Sequence, residues 1–335
     1  MKKLVWILIS LFFIFTVVSL AEKTATFTQF VNPYSICVDS DHLYVSQGVR
    51  VFIFSLEDYH LLKEFGKEGE GPGEVLLNRR GANTEIILFL EKDFLIVSTR
   101  GKVIYFSKDG EFIKEVKTEG VGRFLAPMGK LFVGKTYITE KDGLYHGVVI
   151  YDANLKKVQE IYKHIHGFQG IEKEFNPLTV DQADFDVCDG KIFVIDGDRT
   201  KILIYDNKGK NLVSIIPKDE MVAFTEEDKN DMIEGYKRVE FWRNMYQSRK
   251  HLFKFPKYYP PIRWFFLDPV AKKVYVKTEK IEKEKRKWLV YDFKGQLLKE
   301  MFLPMGLLRF YNGTYYRFHE NEDEEVWELY VAKID

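Results

Sequence analysis

Ile202-Leu-Ile-Tyr-Asp-Asn-Lys-Gly209 and Trp288-Leu-Val-Tyr-Asp-Phe-Lys-Gly295 are two copies of one unit. Each is a short apolar run, an aromatic-Asp pair, and a Gly three residues beyond the Asp. Looser copies read Val51-Phe-Ile-Phe-Ser55, Val103-Ile-Tyr-Phe-Ser-Lys-Asp-Gly110 and Val148-Val-Ile-Tyr-Asp-Ala-Asn154, and Glu328-Leu-Tyr-Val-Ala-Lys333 is a degraded one. A unit that recurs along the whole chain fixes the architecture before any single residue does.

Upstream of each copy lies a second hairpin. Asp189-Gly190 separates Phe185–Cys188 from the apolar stretch that starts at Lys191, Asn312-Gly313 does the same in the last copy, and Met128-Gly129 approximates it in the third. Such pairs suit two-residue hairpins, because Gly accepts positive φ. Lys191-Ile-Phe-Val-Ile195 is apolar at consecutive positions, so both faces must be covered. Hairpin-length turns rule out parallel crossovers, which need a dozen residues or more. The aromatic anchors Phe54, Phe106, Tyr151, Tyr205, Tyr291 and Tyr330 are spaced 52, 45, 54, 86 and 39 residues apart. These spacings predict an all-β fold, a six-bladed β-propeller of four-stranded antiparallel blades. The overlong gap places a helical insertion at about residues 219–262, between blades four and five. The last copy lacks an outer strand, which Thr24–Phe30 can supply.

Pro33-Tyr-Ser-Ile-Cys-Val-Asp39, Leu43-Tyr-Val-Ser46 and Phe65-Gly-Lys-Glu-Gly-Glu-Gly-Pro-Gly-Glu74 form an NHL-type repeat. On these motifs the chain resembles exported bacterial six-bladed propeller proteins of the NHL-repeat, TolB-like class, over most of residues 30–335. Only blade one carries the Gly-rich tail. The resemblance implies six blades around a channel and no single activity.

The N-terminus reads as a secretory signal at residues 1–21. Lys2 and Lys3 precede an apolar run from Leu4 to Val18, and Ser19-Leu20-Ala21 offers small residues for cleavage. The mature chain, 22–335, is then expected outside the cytoplasm, periplasmic or extracellular, with no stable membrane insertion. An uncleaved anchor is the alternative. A formal net charge of zero speaks against a nucleic-acid surface. Cys37 and Cys188 fall on inner strands of opposite blades, too far apart to pair, so two buried free thiols are expected.

No catalytic constellation is evident. The Gly-rich stretch Gly66–Glu74 lacks the Gly-Lys-Ser/Thr ending of a phosphate loop and carries three glutamates. His164 and His166 could share a strand face, but no third ligand accompanies them. No cofactor or metal site is expected. The insertion carries Thr225 ahead of Glu226, Glu227 and Asp228, then Met232, Tyr236, Val239, Trp242 and Met245 at helical spacing. That predicts one amphipathic helix of about 20–25 residues. Tyr236, Trp242, Tyr258 and Tyr259 are candidate lid residues. Arg123, Arg263 (beside Trp264) and Arg309 sit at or near the starts of inner strands, and Arg79-Arg80 precedes blade two. If they converge, they form a cationic, aromatic-lined pocket for a carboxylate or phosphate.

The expected role is therefore a monomeric binding protein. It would recognise a small anionic or glycan-like ligand, or a partner protein, at the channel-mouth face. Two alternatives stand beside it. One is a metal-dependent lactonase- or lyase-like hydrolytic enzyme using Asp39, Asp184, Asp186 or Asp268; the other is a pure protein-interaction scaffold.

Overall fold

The computed structural model describes residues 21–75, 86–99, 101–118, 123–141, 143–165, 174–179 and 184–334. These form six four-stranded antiparallel sheets arranged as the blades of a propeller. From inner to outer strand, blade 1 is Ser35–Val38, His42–Gln47, Arg50–Ser55 and Leu61–Phe65. Blade 2 runs through Ile87–Leu90, Phe94–Thr99, Lys102–Ser107 and Phe112–Lys117, and blade 3 through Arg123–Met128, Leu131–Glu140, Gly143–Tyr151 and Lys157–Ile165. Phe185–Cys188, Lys191–Ile195, Ile202–Asp206 and Asn211–Ile215 make blade 4. Blade 5 is Trp264–Asp268, Lys273–Glu282, Lys285–Asp292 and Leu297–Pro304. Blade 6 takes Leu307–Tyr311, Thr314–Asn321 and Val326–Lys333 from the C-terminal end and Glu22–Phe27 from the N-terminal end as its outer strand.

The consecutive apolar residues of the second strands are explained by packing on both faces. In blade 1, Leu43 and Val45 join a cluster with Phe318 and Leu329 of blade 6, while Tyr44 between them joins Leu88, Leu95 and Ile104 of blade 2. Blade 5 divides the same way: Val274 and Val276 face blade 4, and Tyr275 stacks on Phe310 of blade 6 at 3.9 Å. The hydrophobic core is thus a ring of inter-blade seams, and each seam uses alternate residues of two sheets.

The aromatic anchors mark a recurrent irregularity. At Phe54, Phe106, Tyr151, Tyr205 and Tyr291 the ladder to the outer strand slips by one residue. The extra residues, Leu62, Ile113, Val158, Leu212 and Leu298, are exposed. Bulges of this kind twist an open edge away from intermolecular pairing. In the turn that follows, Asp206 Oδ1 accepts from the Lys208 and Lys210 amides, Asp292 Oδ1 from Lys294 and Gln296, and Asp152 Oδ1 from Asn154 and Lys156. Gly209 and Gly295 take φ of 75° and 84° there. The repeat's most regular residues build turns.

The insertion differs from the expected single helix. It forms α1 (Glu226–Arg238) and α2 (Glu240–Arg249), separated by Val239 in extended conformation. Thr225 and Asp228 close a capping box on α1. The break lets Tyr236 lie over Trp242 and Tyr246, with Phe253 closing the cluster. Neither helix has a buried residue. The unit packs on itself and is tied to residues 174–179 through the Phe175 amide on Leu252 and the Lys254 amide on Phe175.

Candidate functional site

In every blade the first strand runs from the face carrying the long connections to the face carrying the short turns. The two ends of the propeller axis are therefore built differently. Around the turn face, acids at the exits of four inner strands stitch a blade to the next. Asp39 of blade 1 bonds Lys108 of blade 2 at 2.8 Å, and Glu91 of blade 2 accepts the Gly129 amide of blade 3 at 3.0 Å. Asp189 of blade 4 pairs with Lys272 of blade 5. Asp268 of blade 5, fully buried, accepts the Asn312 and Gly313 amides of blade 6 as well as its own Val270 and Ala271.

Inside this ring lies a cavity of about 880 Å³, reached from the turn face and lined by the ends of the inner strands. Cys37, Asp39, Asp186, Cys188 and Arg309 all contribute to its wall. Arg309, at the middle of the blade 6 inner strand, has no hydrogen-bond or ion-pair partner among the described residues. Asp186 accepts only the Val187 amide among them. Protein surrounds the Asp186 carboxyl inside the channel, and this burial pushes its pKa up while the Arg309 charge pulls it back. Both thiols are free, as expected, but only Cys37 is buried; Cys188 is half-buried. Burial pushes Cys37 up to about 11 and Cys188 up to about 12, so neither is a thiolate at neutral pH. Cys37 Sγ donates to the Leu88 carbonyl at 3.1 Å, a bond between blades 1 and 2.

The four aspartates considered for metal chemistry go different ways. Asp39 and Asp268 serve the stitches. Asp184 holds Lys135 of blade 3 at 2.6 Å and the buried Arg199 at 3.1 Å. Of the four, Asp39 and Asp186 line the cavity, and Asp186 has no ion pair among the described residues. Among the described residues no group of three or more His, Cys, Asp or Glu side chains is placed to hold a metal ion.

Of the arginines proposed from sequence, the two whose side chains are described, Arg263 and Arg309, lie at opposite faces. Arg309 lines the axial cavity together with Asp186, which the sequence had offered as a metal-ligand candidate and not as a neighbour of this arginine. Arg263 lies on the elaborated face, outside that cavity, with both of its bonds at 2.9 Å on the Glu279 carboxylate, and Trp264 beside it is exposed. Arg286 bonds the same carboxylate at 2.7 Å. Arg79, Arg80, His166 and the Arg123 side chain lie outside the described residues. Of the candidate lid residues, Tyr236 and Trp242 belong to the self-packed cluster. Tyr258 lies under the Lys257 amine, and Tyr259 packs on Phe224, its hydroxyl pushed up to about 12 by burial and by Asp228. None of the four lines the axial cavity.

No protein family's sequence profile and no curated protein matches this chain. Among solved structures, it is similar to a Bacteroides fragilis protein to which export is ascribed. That structure is 13% identical, covers 95% of this chain and 97% of its own, and gives a TM-score of 0.55. A member of the DUF4221 family from Bacteroides vulgatus is 11% identical over 93% of this chain and 95% of its own, with a TM-score of 0.42. At these identities the likeness is one of fold, and the fold that the first comparison shares with this chain is the six-bladed propeller.

Proposed function

We propose that this chain is an exported binding protein that holds a small anionic ligand in the axial cavity, with Arg309 as counter-charge. The observation that carries the reading is a guanidinium without a partner among the described residues, in a cavity of about 880 Å³. Ligand pockets of that size enclose most of a small molecule's surface. A carboxylate or phosphate against Arg309 forms a charge-assisted, often bidentate bond. Asp186 adds an acceptor for a ligand hydroxyl or amine. Specificity then comes from the opposite charges of Arg309 and Asp186, in a lining that also includes Lys92, Lys108 and Lys130.

The test is a thermal-shift screen of anionic metabolites against the wild-type chain and Arg309→Met. A ligand that raises the wild-type melting temperature and leaves the variant unmoved supports the reading. Equal stabilisation of both, or no stabilising ligand, defeats it. Export rests on residues 1–21, on the NHL-repeat, TolB-like resemblance and on the exported fold neighbour. N-terminal sequencing of the secreted protein, expected to begin at Glu22, checks it.

A second reading, a docked partner protein, is favoured by the insertion. Its helices bury no residue, and Phe241 and Val239 stand exposed. Cross-linking from Phe241 replaced by a photoreactive residue checks it. Absence of any adduct in the native compartment removes it.

A further inference from the structure

The strongest unassigned feature lies on the elaborated face, on the side that blade 5 turns toward blade 6. Lys277 of the second strand stands opposite Trp288 of the third and opposite Trp264 of the first. Cross-strand partners put their side chains on one face. Tyr275 and Trp288 both belong to the seam with blade 6, so Lys277 shares that side. Beyond Lys277 the ladder is irregular: the next paired residues are Ile281 and Arg286, so the Lys277 strand runs four residues while its neighbour runs two. Bulges of this kind re-aim side chains and gather beside binding sites.

Around this bulge, donors outnumber acceptors. Trp288 is 1% exposed and Arg286 8% exposed, and among the described residues neither the Trp288 indole Nε1 nor the Arg286 Nε has a partner. Of the Arg286 fork, Nη1 donates to the Thr278 carbonyl and to Glu279. The Lys277 amine has no acceptor among the described residues; it lies 5.8 Å from the Trp288 ring centroid. The charges that act on this amine are those of Arg286, Arg263 and Glu279, two positive and one negative. Across the seam, Arg317 of blade 6 gives one bond to the Met305 carbonyl, and its Nε also lacks a partner. Buried donors of this kind are costly to leave unpaired. One group that would satisfy them, and balance the excess positive charge, is an oxyanion.

We propose that Lys277, Arg286 and Trp288 form a second binding site, distinct from the axial cavity, for a carboxylate or phosphate group seated at the blade 5 bulge, with the exposed Trp264 ring offering a surface for the body of the ligand. Burial and the two arginines push the Lys277 pKa down to about 8. A bound anion reverses that balance, so about one pH unit above this value binding draws a proton onto the amine.

The experiment is isothermal titration of the full chain with inorganic phosphate and, separately, acetate. Saturable binding is expected. Lys277→Met weakens it about tenfold or more, the value of one charge-assisted bond, while Lys277→Arg retains it. Trp288→Phe, which keeps an aromatic ring and removes the Nε1 donor, weakens it severalfold. Near pH 9, buffers of different ionisation enthalpy report proton uptake in the wild-type chain and none in Lys277→Met. Arg309→Met removes the counter-charge of the axial cavity and leaves the Lys277-dependent component of the binding in place, which separates the two sites. Preference for acetate assigns a carboxylate ligand and preference for phosphate a phosphorylated one. Absence of saturable binding to either anion, or equal affinity in Lys277→Met and wild type with both folded by thermal melt, overturns the proposal.

Discussion

At the turn face of the propeller the chain is repetitive: four acids at matching positions reach from one blade to the next, around a common cavity. At the opposite face little repeats. One junction carries two helices, two hairpins are extended to ten-residue strands, and the charged groups form local networks around Asp184 and Glu279. The ends thus divide the labour. The Asp39 and Asp268 stitches that help close the ring are buried and accept backbone amides, whereas the Arg263–Glu279 pair and the helix ion pairs of the elaborated face are exposed on at least one side, the buried Asp184–Arg199 pair being the exception there. Removing the first kind strands several buried partners at once; removing the second kind strands few.

The largest expected effect is at Asp268. Asp268→Ala leaves four backbone amides of two blades without their acceptor and should cost about 3 kcal/mol or more in urea unfolding. Glu226→Ala, an exposed helix ion pair at the other end, should cost about 0.5 kcal/mol or less. Comparable losses would erase the contrast between the faces. Asp206→Ala, which unties one outer turn within a single blade, should fall between them at about 1 kcal/mol.

Asp186→Asn tests the cavity. The raised native pKa means that at neutral pH the folded state holds a charge it disfavours, and the unfolded state does not. The variant should melt higher than wild type at neutral pH. The gain should vanish as pH falls through the ordinary aspartate range, where both states bind the proton. A variant that melts lower at neutral pH would show that the Arg309 attraction outweighs burial. The smallest global effect is expected at Thr225→Ala. It should cost α1 about 1 kcal/mol of local protection in amide exchange and leave the melting temperature of the propeller in place, because neither helix contributes a residue to the core.

What could be read from the sequence follows the range of the interactions. Asp206, Asp292 and Asp152 bond amides two and four residues ahead, so their turns, the blade count and the position of the insertion are visible as a local pattern. The N-terminal closing strand is visible too, although it starts at Glu22 and ends at Phe27 rather than reaching Phe30. Helical spacing alone does not show that Val239 turns extended, since the break is favoured by aromatic contacts between α1, α2 and Phe253. The candidate sites are least legible. Arg309 meets Asp186 only because blades 4 and 6 converge on one axis, and the donors around Lys277 are exposed by a bulge that interrupts an otherwise regular strand.

The pairing of Glu22–Phe27 with Val326–Lys333 sets a timetable for synthesis. The first strand made must wait unpaired for nearly the whole chain, and the blade it completes receives its other three strands last. Until then a nascent chain can stack its early blades but exposes two sheet faces and an open edge, the features that invite aggregation. A stop codon at Val326, which removes the third strand of blade 6 and the residues after it, therefore acts at both ends of the polypeptide, freeing Phe27 and its partners Phe54 and Phe318 together. Maturation of this protein is a single late commitment, and factors that shield the nascent chain would have their greatest effect just before it.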